Sequence, residues 1–457
     1  MSIQQYVLEK FDGNLEWFVE ECKKVYHQQR VNHVLDLREY LNGKHKILNR
    51  SVEVWNGKEY YPRTIVLNLA KNILNFESTY LLGNPITISG KDATVKKFKK
   101  VWRKGNYDRV TKKILDNVIK YGMCWEVCYL DENKDIQSYI VKPEDGYEVI
   151  SPDNKYIGFI EHYVVDGCSY YNVFYEDRIE KWDDVGGQLR KVAEFTNISG
   201  LPIRYKNDQN ELDENSGRSS LEDIIPLIDQ LEDVLSKFSD SFYKHHNPLM
   251  IISGQILKGD GFNPHLVGNA LNLDDGSTAD MISNKLDHMS FKEIYGTIYQ
   301  ALLTISNTPG IAMSSVELSN ISETSLLLLY SVADVRGALN ESWLKEGLME
   351  RLKVFKKLME LKGIAVNQDD FDELELIFQY ARPKNRTEIV DNIVKLRSIN
   401  MLSLETAVEQ NPYTSNKAQE MDRLREEQME NNMGNKKDKD DKKSDDLGNK
   451  DGQQMQE

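Results

Sequence analysis

Cysteine is scarce in this sequence: Cys22, Cys124, Cys128 and Cys168 are the whole supply. Four scattered thiols cannot build the framework that staples a small secreted domain. Cys124 and Cys128 lie four apart in Met123-Cys124-Trp125-Glu126-Val127-Cys128-Tyr129, which reads as a strand, so both project from one face. A zinc pair uses shorter spacing and needs two further ligands. The pair reads as two small buried apolar residues. Long apolar runs are also missing. The richest, Leu326-Leu327-Leu328-Leu329, is far short of the about 18 residues that span a bilayer. Met1-Ser2-Ile3-Gln4-Gln5 has no basic stretch followed by an apolar one, so no secretory signal is expected, and synthesis in the cytosol is. Positive charge is in deficit: 58 Lys and Arg face 73 Asp and Glu, a net −15. That argues against a broad phosphate-gripping surface. It leaves room for nucleic acid passing through a channel that must not hold it.

What the chain does have is helix of unusual length. Apolar residues at helical spacing run through Phe291, Ile294, Tyr295, Ile298, Leu302 and Ile305, and stop at Asn307-Thr308-Pro309-Gly310. After about a dozen weakly patterned residues the helical pattern returns from Ser322 to Leu361, with Leu326, Val332, Leu339, Leu348, Leu352 and Phe355 in it. About 40 residues at about 1.5 Å each reach roughly 60 Å, well beyond the usual 8–20 residues. Such an element serves as a spoke or spacer in a larger assembly. The plainer reading is a long core helix of a large enzyme.

Elsewhere the pattern predicts a helix over 14–42 ended by Asn42-Gly43, a helix from Thr64 to Leu82 stopped by Gly83-Asn84-Pro85, and helix from Lys97 to Tyr121. Residues 122–195 alternate like strands, with turns such as Asp166-Gly167 and Gly186-Gly187 that suggest antiparallel hairpins. A polar linker, 205–220, precedes a second long helix from Leu221 to His246, with Pro226 in its first turns, where a missing N–H costs little. Its stripe of Leu221, Ile224, Ile228, Leu231, Leu235, Phe238 and Phe242 needs a partner on a neighbouring chain as well as on its own. Residues 249–289 form a compact insertion at the tip of helices 221–246 and 290–306. Leu374–Tyr380 reads as a strand, followed by a helical region to about Asn432, punctuated by Asn411-Pro412. Met433–Glu457 holds six Lys, six Asp and one Glu without an aromatic residue, a composition expected to stay disordered.

Motifs for catalysis fail on inspection. Gly83–Thr94 has Pro85 where a phosphate loop needs glycine, and Asp92 follows Lys91 where Ser or Thr belongs. Asp131–Asp135 resembles a calcium loop, but Ile136 stands where the sharp turn needs glycine; a hairpin turn fits better. His245 and His246 are adjacent on a helix and cannot face one metal together; the helix dipole explains histidine there. No cofactor, metal or enzymatic activity is expected.

Several segments converge on one family. Tyr40-Leu41-Asn42-Gly43-Lys44-His45-Lys46-Ile47 is followed by Asn68-Leu69-Ala70-Lys71-Asn72-Ile73, by Tyr80-Leu81-Leu82-Gly83-Asn84-Pro85-Ile86 and by Tyr121-Gly122 leading into a strand. Ser322-Glu323-Thr324-Ser325-Leu326-Leu327-Leu328-Leu329-Tyr330 and Leu402-Ser403-Leu404-Glu405-Thr406-Ala407 complete the series. In this order and spacing, over about residues 35–430, the chain resembles the portal proteins of long-tailed bacteriophages of Gram-positive bacteria. It departs from them at Ser322-Glu323-Thr324-Ser325, where the family has a Ser-Gly-x-Ala type of start, and in the looser acidic pattern from Asn416.

The resemblance implies an α+β portal fold: an α/β wing, a two-helix stem, a small α/β clip, a long spoke helix, a helical crown and a disordered tail. By likeness, 1–220 and 323–380 form the wing, 221–248 and 290–308 the stem, 249–289 the clip, 309–322 the tunnel loop, 381–432 the crown and 433–457 the tail. It implies a ring of twelve subunits, or thirteen when isolated, at one capsid vertex of the virion, through which double-stranded DNA is packaged and ejected. Ile311, Ala312, Met313, Ser314, Ser315 and Val316 would face the DNA. Lys258, Asp260, Phe262, Asn263 and His265 of the clip would meet the motor or adaptor. The implied partners are the terminase large subunit, a head-completion adaptor, and scaffolding and major capsid proteins, with no membrane. From Ser219 to His246 six acids face two lysines, in keeping with a low-friction lining. The competing readings are a nucleic-acid-processing enzyme of the packaging machinery and a structural adaptor without DNA contact.

Overall fold

The computed structural model describes residues 1–55, 58–211, 213, 215–245, 249–253, 278–282, 287–310, 322–414 and 419–427. Two compact units emerge: residues 1–314 with 332–381, and residues 315–331 with 382–457.

The first unit opens with three helices, α1 (Ile3–Phe11), α2 (Trp17–Cys22) and α3 (Val25–Leu41), the last two standing where the sequence pattern suggests one helix over 14–42. Ser2 and Gln5 form a reciprocal cap on α1. Lys24, with ψ 141°, breaks the run between α2 and α3. A 3-10 turn (Lys46–Asn49) leads to the hairpin β1 (Glu53–Trp55) and β2 (Lys58–Tyr60). Residues 61–67 are not helical, and α4 (Leu69–Leu82) begins five residues after Thr64. Next come β3 (Thr87–Ser89), α5 (Asp92–Lys104) and α6 (Tyr107–Tyr121). Asn106, at φ 52°, separates two helices where the pattern reads as one.

Eight strands follow: β4 (Met123–Leu130), β5 (Ile136–Val141), β6 (Gly146–Ile150), β7 (Tyr156–Val165), β8 (Cys168–Phe174), β9 (Arg178–Asp183), β10 (Arg190–Thr196) and β11 (Ile203–Lys206). They form a five-stranded sheet in the order β10-β9-β8-β7-β6 and a three-stranded sheet in the order β11-β4-β5. Every pairing is antiparallel, as the turn residues predict. Asp131 Oδ1 accepts the Asn133 and Asp135 N–H groups, closing the β4–β5 hairpin turn. The last two residues of β11, Tyr205 and Lys206, fall in the stretch expected as a linker. Beyond that strand, Gly122 (φ 88°) and Gly217 approach so closely that a Cβ on Gly217 would stand 1.9 Å from the Gly122 carbonyl oxygen.

Helix α7 (Ile225–His245), strands β12 (Leu249–Ser253) and β13 (Thr278–Ile282), and helix α8 (His288–Ile305) come next. The unit is completed by most of α9 (Glu323–Leu361), α10 (Gln368–Asp372) and β14 (Glu375–Ile377), which pairs with β3. The strand expected over 374–380 is thus short.

The architecture is α+β. Its main core joins α6 to the C-terminal half of α9: Ile114, Leu115, Val118 and Ile119 pack with Leu344, Leu348, Leu352 and Phe355, all fully buried. Gly347 lets α9 close on β11; a Cβ there would lie 2.4 Å from the Tyr205 ring. A second core seats α1 and α2 on the five-stranded sheet through Tyr6, Trp17, Phe18, Tyr147, Ile160 and Val173. Cys124 and Cys128 are buried in the main core, and burial pushes both thiols well above their usual range.

In the second unit, helices α11 (Arg386–Ser398) and α12 (Leu404–Gln410) punctuate the expected helical region. Ser322 caps α9 through the Ser325 N–H. The Glu323 N–H donates to Glu388 Oε2 at 2.7 Å, and the Asn385 N–H donates to Glu323 Oε2 at 2.7 Å. Two helix N-termini thus exchange carboxylates, satisfying donors that helices leave open. That is the work of the glutamate at the atypical start of the long helix.

Candidate functional site

Helices α7 and α8 are joined through the antiparallel ribbon β12–β13, in which Leu249 opposes Ile282 and Ser253 opposes Thr278. Phe238, late in α7, stacks on Phe291, early in α8, with ring centroids 3.9 Å apart. The aromatic row continues along α8 from Phe291 to Tyr295 and Tyr299. The two helices therefore run in opposite senses as a hairpin.

The other side of α7 carries an acidic seam. The backbone N–H groups of Arg63, Ile65 and Leu67 donate to Asp240 Oδ1, Ser236 Oγ and Glu232 Oε1 at 2.8, 3.0 and 2.7 Å. The spacing explains the fit. Two residues of extended chain advance about 6.6 Å, and four residues of helix advance about 6 Å. Alternate N–H groups thus meet every fourth side chain, in opposite directions. Glu232 also meets His45 Nδ1 at 2.6 Å. Burial lifts the Glu232 carboxyl above its usual range, against the Leu67 N–H and His45. Asp240 also accepts from Arg50 and from the Tyr60 hydroxyl. Burial works against its charge, yet the Arg63 N–H, Tyr60 and Arg50 together hold its carboxyl low.

The sequence reading misses this seam by placing helix from Thr64. Pro62 and the β-branched run Thr64-Ile65-Val66 ahead of Asn68 are the signal for extended chain.

The other predicted residues are distributed as follows. Ile311, Ala312, Met313, Ser314, Ser315 and Val316 lie outside the described residues, as do Lys258, Asp260, Phe262, Asn263 and His265. Lys91, at the start of α5, pairs with Asp370 at 2.9 Å. Among the described residues no group of three or more His, Cys, Asp or Glu could hold a metal ion, and no helix is long and apolar enough to cross a membrane.

Of the apolar stripe expected over 221–242 to need a neighbour, Leu221, Ile224, Ile228 and Leu231 are buried within the chain, Leu235 and Phe238 are half-buried and Phe242 is 44% exposed. Exposed apolar surface lies on other helices too. On α8, Met289 is 77% and Ile294 52% exposed; on α9, Val332, Val335 and Leu339 are 45%, 58% and 53% exposed.

A family model described as phage portal protein, SPP1 Gp6-like, matches residues 21–434. The chain belongs to this phage portal family. The portal protein of Bacillus phage SPP1 is 22% identical over 397 residues, which cover 78% of this chain and 74% of that protein. The neck of an empty GTA particle computed with C6 symmetry is a distant likeness, with TM-score 0.48 and 11% identity over 74% of this chain and 88% of that one. The neck of a native GTA particle computed with C12 symmetry gives 0.46 and 10%, over 75% and 89%. The portal family is a structural one.

In this portal chain the acids of α7 are not a bare lining. Each of the six counted between Ser219 and His246 has a partner inside the chain. Glu222 meets Arg218 and His33, Asp223 meets Arg218, Asp229 meets Lys46 and Asp233 meets Lys237; Glu232 and Asp240 hold the seam. Asp229, Glu232 and Asp240 bind residues 45–67, Glu222 and Asp223 hold the approach to α7, and Asp233 pairs within the helix.

Proposed function

We propose that this chain is the subunit of a portal ring, usually of twelve copies, at one vertex of a phage capsid, with double-stranded DNA entering and leaving along its axis. The family match over residues 21–434 carries this reading. The exposed apolar surface of α8 and α9 supports it, because contiguous apolar surface marks sites of association, and closed homo-oligomers bury such surface between like copies.

Within that reading, 1–220 and 323–380 are the wing, the α7–α8 hairpin the stem, 249–289 the clip, 309–322 the tunnel loop and 381–432 the crown. Residues 311–316 face the DNA, and the clip meets the terminase large subunit or the head-completion adaptor. Scaffolding and major capsid proteins contact the ring. The chain acts as a conduit and docking hub without an enzymatic step of its own.

Native mass spectrometry with negative-stain imaging tests the reading. Twelve copies of 52.9 kDa make a ring of about 630 kDa. A ring of about that mass with an axial hole is expected. A monodisperse monomer at micromolar concentration counts against it.

A further inference from the structure

The net charge of −15 conceals a strong asymmetry. Between Lys91 and Lys120 eleven Lys and Arg face three Asp, a surplus of eight, so the remaining residues carry −23. That surplus sits on two consecutive helices, α5 and α6. Lys96, Lys99, Arg103, Arg109, Lys112 and Lys113 are all exposed, and none takes part in an ion pair among the described residues. By contrast, Lys104 at the end of α5 shares Asp135 with Lys362, at 2.6 and 3.8 Å. Along α6 the basic surface continues into a shallow groove of about 530 Å³, lined by Lys113, Lys120 and Lys142 with Asp116 and Tyr139.

The arrangement does not favour α5 itself. Three of its pairs at i,i+4 join two bases (96–100, 99–103 and 100–104), against one that joins an acid to a base (92–96). Like charges at that spacing disfavour a helix. A merely solvated face would be better served by alternating signs.

The geometry points to this face as a binding surface for the phosphate backbone of double-stranded DNA, separate from the axial channel. The surface chemistry selects among polyanions. Of the aromatic residues of these helices, Phe98, Trp102 and Tyr107 are buried and Tyr121 is half-buried, and Tyr139 in the groove is tied through its hydroxyl to Glu161, so the face offers no row of open rings for the bases of a single strand. Lysine dominates the face, and lysine is depleted at protein–protein interfaces. It serves phosphates as a point charge without demanding geometry, which suits a duplex backbone without sequence readout. The presence of DNA rests on the portal reading; the surface that binds it does not.

The test uses the full-length protein and a small closed circular duplex, which cannot thread an axial hole. Binding is expected at about 50 mM salt and should be lost by a few hundred millimolar, as counterion release requires. Lys96→Glu, Lys99→Glu, Arg103→Glu and Lys112→Glu together should weaken binding by more than about tenfold and flatten the salt dependence, by about 0.9 in log–log slope per lost phosphate contact. The unfolding midpoint and oligomer mass should be unchanged. The same four positions changed to Gln give a smaller loss in the same direction and stand in if the reversed variant misfolds. Absence of circle binding at low salt, or binding indifferent to both variants, overturns the assignment. So does full displacement of the circle by polyglutamate at equal charge, which would indicate an acidic protein partner. Oligomer mass is read in the same experiment: rings that ignore the circle sink this inference alone, whereas monomers sink the portal reading.

Discussion

Arg351 of α9 donates through Nε to Glu126 Oε2 of β4 at 2.8 Å, and both side chains are fully buried. Tyr205 and Ser138 hydroxyls also donate to Glu126, at 2.8 and 2.6 Å, and Arg351 Nη1 reaches Thr111 Oγ1 at 2.7 Å. Burial opposes the guanidinium charge, but the adjoining Glu126 carboxylate more than restores it. The pair pins the long helix to the three-stranded sheet. Removing one partner of such a pair leaves a bare buried charge at a cost of about 3–5 kcal/mol. Arg351→Ala should therefore lose about that much in urea unfolding. Arg351→Met combined with Glu126→Gln should lose less than half as much. A single-variant loss below about 1 kcal/mol, the range of a surface pair, is incompatible with this role.

Gly347→Ala sets two effects against each other. The methyl adds up to about 1 kcal/mol of helix propensity but meets the buried Tyr205 ring at 2.4 Å, and overpacking costs about 1–3 kcal/mol. A net loss of about 1 kcal/mol is expected. Gly296→Ala in α8, where a Cβ meets nothing within 4 Å, should show the propensity gain alone. Denaturant midpoints of the two variants should move in opposite directions.

Asp240→Ala strips three donors at once: the Arg63 N–H, the Tyr60 hydroxyl and Arg50. Hydrogen bonds to charged groups contribute about 1.5–3 kcal/mol each, less what water recovers, so a loss of about 2–3 kcal/mol is expected. Hydrogen exchange should show faster exchange at Arg63, with Ile65 and Leu67 following. Unchanged protection across 61–68 contradicts the seam.

His33 Nε2 lies 3.1 Å from Glu222 Oε1, linking α3 to the approach of α7. The hydrogen bond to Glu222 raises the His33 pKa. Burial opposes the Glu222 charge, but His33, the Ser219 N–H and Arg218 lower its carboxyl below the usual value. The histidine contribution is complete below its unfolded pKa of about 6.5 and is lost as pH rises through the raised folded value. The glutamate contribution is complete above about 4.5 and is lost as pH falls through the lowered one. Thermal unfolding of His33→Ala should accordingly show a larger deficit at pH 5.5 than at pH 8.5. An equal deficit at both values rules out a charged pair.

Val335→Asp and Leu339→Asp place charge on the exposed apolar face of α9, 58% and 53% open in the single chain. Ring assembly should weaken by tenfold or more in subunit concentration, with the fold of the subunit retained by circular dichroism. Rings that assemble normally would show that this face is not between subunits.

The long helix is legible in the sequence because a 3.6-residue period sustained from Ser322 to Leu361 has no other explanation, and Gly83 and the hairpin turns announce themselves through residue type. The breaks at Lys24 and Asn106 are harder to see, since helical phase on either side runs on across them. Residues 61–67 escape because their hydrogen-bond partners lie 165 to 177 positions away. The buried pair leaves a faint trace: Arg351 falls in phase with Leu344, Leu348 and Phe355, and Glu126 stands in an otherwise apolar strand. An ionised side chain at a core position calls for an opposite charge, but the sequence does not say which one.

The three rungs between residues 63–67 and α7 work as a vernier between two rulers of nearly equal pitch. Sliding α7 along its axis by one residue, or turning it by about 100°, misaligns all three rungs together, because the flanking triads at the same spacing are Leu231, Leu235 and Ser239 on one side and Asp233, Lys237 and Ser241 on the other, neither of them three acceptors. The helix thus has one allowed registration against the rest of its unit. A force applied at the β12–β13 tip is passed on to residues 45–67 rather than absorbed as slip, and any tilt of α7 must carry that segment with it.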